Sequence, residues 1–171
     1  MTNNKKNLIF TVYAALFGAV IAAATALVRI PLPTGYYHAG DAFIYLAAVC
    51  IPTPYAAAGA AVGASLADLL SGYPVYAPFT FVIKALLTLA FTRSAPHIIC
   101  RRNMLALAVA AAITVFGYFA ADAVITGSAA TALSDMIPNL IQAAVGAAIF
   151  LPVAAVMDRL GLRKKLFLFD R

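Results

Sequence analysis

Apolar residues fall in six runs, separated by short stretches rich in Pro, Gly and charge. The runs span 8–28, 41–51, 55–71, 77–92, 104–126 and 136–157, and each predicts a helix. Pro31, the pair Pro52 and Pro54, Gly72 with Pro74, and Gly127 punctuate the boundaries. The boundary between the fourth and fifth runs is basic instead. The second run is short. Its eleven residues (41–51) rise about 16 Å as a helix, roughly half a hydrocarbon core. It is tilted, extended into its flanks, or embedded in protein.

Seven polar side chains interrupt these runs or edge them: Asp41, Asp68, Lys84, Tyr118, Asp122, Asn139 and Gln142. Threading the six runs back and forth brings almost all of them to one depth. Asp41 opens the second helix, while Asp68 and Asp122 lie one turn from the ends of the third and fifth. Asn139 and Gln142 begin the sixth, and Lys84 lies about 10 Å into the fourth. Ionisable groups inside a membrane are costly and mark functional pockets. Scattered structural polar residues would not sort by depth in this way.

Composition agrees with the pattern. Of 171 residues 64% are hydrophobic and 11% charged, with neither Glu nor Trp. These values exclude an ordinary soluble domain and fit an all-α, polytopic membrane protein. The net charge of +6 sets orientation and does not point to nucleic acid. With the N-terminus inside, ten Lys and Arg residues fall on the cytoplasmic side and Arg29 alone outside. Both termini are then cytoplasmic, with 158–171 a basic tail whose residues Leu162 to Arg171 are expected on the anionic inner leaflet. The first run is too long for a signal-peptide core and reads as an uncleaved helix. Cys50 and Cys100 have no metal-binding spacing and are expected to be reduced.

Each polar residue has two readings. Lys84 either neutralises Asp68 or Asp122 or faces a ligand. Asp41 either caps its helix or binds ligand. Asn139 and Gln142, three apart on one face, either present amides together or join helices. Tyr36 and Tyr37 are interfacial belt residues or ring-stacking groups above the polar cluster, with His38 beside them. A stripe of small residues, Ala14, Gly18 and Ala22, runs along the first helix, and Gly59, Gly63 and Ala67 along the third. Such stripes admit close helix contact. The third-helix stripe reads as internal packing and the first-helix stripe as docking for an external partner. There is no phosphate-binding Gly-x-x-x-x-Gly-Lys loop, so ATP hydrolysis is not expected of this chain.

Several segments together resemble the substrate-binding S components of energy-coupling factor (ECF) vitamin transporters, in their riboflavin-type branch. They are His38-Ala39-Gly40-Asp41-Ala42-Phe43-Ile44-Tyr45, Gly63-x4-Asp68-Leu69-Leu70, Thr80-x3-Lys84 and Pro138-Asn139-x2-Gln142. The resemblance covers essentially the whole chain. It implies a six-helix membrane protein that takes a vitamin-like molecule from outside, with the first loop covering it and no cofactor. It further implies docking of Ala14, Gly18 and Ala22 onto a transmembrane T subunit driven by two ATPase subunits. Ligand contacts are expected from Tyr37, His38, Asp41, Asp68, Lys84, Tyr118, Asp122, Asn139 and Gln142. Riboflavin, a pyridoxine- or hydroxymethylpyrimidine-like compound and a queuosine precursor all fit these groups. A small intramembrane enzyme using Asp68 and Asp122, and a solitary membrane binding protein, are the other classes.

Overall fold

The computed structural model describes residues 2–32 and 35–163, with the backbone alone for residues 29–32 and 35–36. The elements are α1 (Asn3–Leu27), β1 (Arg29–Leu32), β2 (Gly35–His38), α2 (Gly40–Cys50), α3 (Thr53–Ser71), α4 (Ala77–Leu89), α5 (Arg101–Thr126), α6 (Ala129–Ser134) and α7 (Met136–Leu160). Three stretches, Asn3–Leu27, Arg101–Thr126 and Ala129–Leu160, are long and apolar enough to cross a membrane by themselves. Two elements add to the expected all-α bundle. One is the antiparallel hairpin β1–β2, in which Arg29 pairs with His38. The other is the single-turn-and-a-half α6. Tyr36 lies outside the described side chains, as does the tail from residue 164 onward.

The short second helix is embedded in protein. Every α2 residue except Phe43 is buried, so its length is set by neighbouring helices and not by a bilayer. It stops at Ile51, which is extended (φ −116°, ψ 162°), because the ring of Pro52 disfavours helical backbone in the residue before it. α3 starts at once. It ends at Gly72, whose φ of 87° is left-handed. There the Tyr73 amide closes onto the Asp68 carbonyl at 2.9 Å, the hydrogen bond of a glycine-terminated helix. This cap fixes Asp68 and Tyr73 next to each other.

The scaffold rests on backbone contact between α1 and α3. A Cβ on Gly59 would stand 2.6 Å from the Ala14 carbonyl, and one on Gly18 would stand 3.1 Å from the Gly59 carbonyl. A Cβ on Gly63 would collide with the Gly18 carbonyl. Ala14 and Gly18 are therefore spent inside the chain, which corrects their expected place on an external docking stripe. Ala22 is half-buried, and it is Ala15, Ala19 and Ala23, about 100° around the helix, that are exposed.

The end away from the hairpin is closed by rings and caps. Tyr45 stacks on Phe91 at 5.1 Å and meets the edge of Phe150 at 5.9 Å. Both Asp158 carboxylate oxygens accept amides of the α4–α5 connection, from Ile98 and Ile99, each at 2.8 Å. Buried Asn103 holds the same connection through Thr92 and Ile98.

Gly18→Leu is expected to destabilise the bundle by about 1–3 kcal/mol, the usual cost of overpacking. Ala19→Leu, on the exposed face, should leave thermal unfolding in detergent unchanged. Equal stability of the two variants would contradict the α1–α3 contact.

Candidate functional site

At the end of the bundle that holds the hairpin, the helices enclose a cavity of about 660 Å³, open mouth included. The sequence-predicted residues Tyr37, His38, Asp68, Lys84, Tyr118, Asp122, Asn139 and Gln142 all line it. Asp41 lies directly behind Lys84.

Lys84 and Asp41 form the centre. Lys84 Nζ donates to Asp41 Oδ1 at 2.6 Å, with both side chains essentially inaccessible. The expected partners of Lys84 were Asp68 or Asp122, so the pairing with Asp41 is a correction. Sequence spacing could not reveal it, because the contact crosses from α2 to α4. Asp41 makes no cap hydrogen bond at the start of α2; its carboxylate goes to Lys84. It reaches there because α7 offers Gly146, where a Cβ would sit 2.9 Å from Asp41 Cβ and 3.2 Å from the Tyr45 ring. Lys84 Nζ also stands 5.3 Å from the centroid of the Tyr118 ring, a cation–π distance. The Tyr118 hydroxyl is hydrogen-bonded to that of Thr80 at 3.0 Å.

The outer wall is phenolic and acidic. Tyr73 and Tyr76, on the α3–α4 turn, meet edge to face at 6.3 Å. Asp122 lies beside the Tyr76 hydroxyl. Burial, then Asp122, raises the Tyr76 phenol above its ordinary pKa. Asp135, which precedes α7, completes this wall with Pro138. Sequence reading missed Tyr73, Tyr76 and Asp135 as lining residues. They sit among the Gly, Pro and Ser residues that mark helix ends, and so read as punctuation. Thr80 and Pro138 entered only through the family resemblance.

On the opposite side the hairpin is fastened by α7. Gln142 Oε1 accepts the His38 amide at 2.8 Å, and Gln142 Nε2 donates to the His38 carbonyl at 2.9 Å. His38 Nδ1 accepts the Gly40 amide at 3.1 Å, which requires an unprotonated Nδ1. Asn139, one turn outward, donates from Nδ2 to the Asp135 carbonyl at 2.8 Å.

A sequence model of the family "ECF-type riboflavin transporter, S component" matches residues 5–159. A Pyrococcus woesei protein described as "Uncharacterized protein in gap 3'region" is 44% identical over 66 residues. That match covers 37% of this chain and 44% of the relative, so the chain spans less than half the length of the curated relative it matches.

Two outcomes are expected of this geometry. Lys84→Met strands a buried carboxylate and should cost about 3–5 kcal/mol of stability. Adding Asp41→Leu should recover most of the loss in a thermal-unfolding comparison, and a double variant as unstable as the single would contradict the pairing. The second concerns His38. Burial lowers its pKa from 6.5 to about 4, with Asp41 opposing and Lys84 assisting. The unfolded chain then takes up the proton first, so the His38 contribution is complete above pH 6.5 and is lost as pH falls toward 4. The unfolding midpoint should drop over that window by more in the parent chain than in His38→Gln. Parallel pH profiles would count against a neutral, buried His38.

Proposed function

Since the chain belongs to the family of ECF-type riboflavin transporter S components, we propose that its outer cavity captures a small vitamin-like heterocycle for import. A separate T subunit and ATPase pair supply the energy. The observation that carries this reading is the cavity itself, polar and phenol-lined, set at one end of an apolar bundle and floored by a buried ion pair. The end away from the hairpin is filled by Tyr45, Phe91 and Phe150.

The side chains favour a flat ring bearing hydroxyl or amine groups. Tyr37, Tyr73, Tyr76 and Tyr118 offer ring faces and hydroxyls, while Asp122 accepts hydrogen bonds. Lys84 is committed to Asp41, and no other cation lines the cavity among the described residues. An anionic ligand would have to break that pair, so a neutral or amine-bearing molecule is favoured. Riboflavin, pyridoxine-like and hydroxymethylpyrimidine-like compounds and queuosine precursors meet this condition in their uncharged or amine forms.

The protein is placed in the cell membrane with both termini cytoplasmic, on the strength of ten basic residues against one. The cavity then faces outward. For the T subunit, the exposed face of α1 at Ala15, Ala19 and Ala23 replaces the buried Ala14 and Gly18 as the docking stripe, since small residues let a second helix approach.

Native mass spectrometry of protein purified from its own host should show one bound heterocycle. Asp122→Ala should weaken its binding by roughly 1–3 kcal/mol, the cost of leaving a buried partner unsatisfied. Wild-type affinity in that variant, or an empty protein at every growth condition, would contradict the reading. Ala19→Leu should keep ligand binding and lose co-purification with a T subunit; retained co-purification would remove α1 from the interface.

A further inference from the structure

We propose that Gln142 is a positioning residue that clamps the β1–β2 hairpin over the cavity and thereby sets how fast a bound molecule enters and leaves. The proposal deepens the reading of that cavity as a ligand site and rests on it.

The carboxamide of Gln142 is fully engaged with one residue of the hairpin. Its oxygen takes the His38 amide at 2.8 Å and its nitrogen gives a proton to the His38 carbonyl at 2.9 Å. An edge strand exposes both groups on each outward residue, and here a side chain from α7 supplies what a third strand would. The nitrogen also stands 3.2 Å from His38 Nδ1, the atom that accepts the Gly40 amide. It lies 3.5 Å from Asp41 Oδ2, an electrostatic contact more than a hydrogen bond. One amide thus links β2, the start of α2 and the Lys84–Asp41 pair. Both polar atoms of Gln142 are engaged with His38, and the side chain forms part of the cavity wall.

The strands of the hairpin connect α1 to α2, and the Ala39 amide reaches the Val28 carbonyl at 3.4 Å. A molecule passing between the hairpin and α7 must part the two His38 hydrogen bonds. The clamp is a step that opening has to cross, and its strength appears in rates more than in affinity.

The test begins without any ligand. In the ligand-free full chain in nanodiscs, amide hydrogen exchange resolved by residue compares the parent with Gln142→Met, which keeps the length and removes both bonds. Amides 35–40 should speed up together by tenfold or more, while those of α5 stay as slow as in the parent. Acceleration of the His38 amide alone, or none, would overturn the clamp. Acceleration in α5 as well would mean general loosening and would also overturn it. Gln142→Glu, which keeps the acceptor for the His38 amide but sets an oxygen against the His38 carbonyl, should behave like Gln142→Met.

The second arm uses riboflavin as the probe, followed by quenching of its fluorescence. Association and dissociation should both accelerate at least tenfold in Gln142→Met, with a smaller change in Kd. Faster dissociation with unchanged association would make Gln142 a direct ligand contact and overturn the proposal. Failure of riboflavin to bind the parent chain would count against riboflavin as ligand, and the exchange arm would then decide the clamp by itself.

Discussion

The buried contact between Lys84 and Asp41 is the constraint around which the rest of this bundle is arranged. Two charges removed from water and lipid survive only with close geometry and further polar neighbours. The structure supplies both. A 2.6 Å contact is backed by the Tyr118 ring on one side and approached by the Gln142 amide on the other. Delivering Asp41 to this point explains the shape of α2. Eleven residues suffice to carry its carboxylate to Lys84 and its Tyr45 to the inner ring cluster. Gly146 is the complementary concession on α7, since a side chain there would push both away.

Around this centre the bundle divides by depth. The half away from the hairpin is sealed by aromatic packing and by Asp158 and Asn103, which tie down the α4–α5 connection. The hairpin half keeps a cavity because part of its wall is turns and helix ends, where Tyr73, Tyr76 and Asp135 can project without disturbing helix packing. The α1–α3 glycine contacts hold one side of the barrel tight enough for the hairpin to leave α1 and reach α7.

Much of this was legible in the sequence. The six apolar runs, and the sorting of Asp68, Lys84, Asp122 and Gln142 to one depth, follow from periodicity and spacing alone. Pairing was not legible. Lys84 is equally close in sequence logic to Asp41, Asp68 and Asp122, and only helix packing chooses among them. The face of α1 was also hidden. Ala14, Ala15, Gly18, Ala19, Ala22 and Ala23 put small residues on adjoining faces, so a stripe turned toward α3 and a stripe turned outward look alike until Gly59 and Gly63 are placed. The hairpin escaped notice because Pro31, Pro33 and Gly35 signal a loop, and four-residue strands carry too little alternation to outweigh them.

An experimental structure of the protein with its co-purified molecule tests the account most directly. The prediction is one flat ligand between the Tyr73–Tyr76 turn, Asp122 and the hairpin, with Lys84 still bonded to Asp41 and Gln142 still bonded to His38. A ligand bound elsewhere, or one that draws Lys84 away from Asp41 to neutralise its own charge, would contradict it.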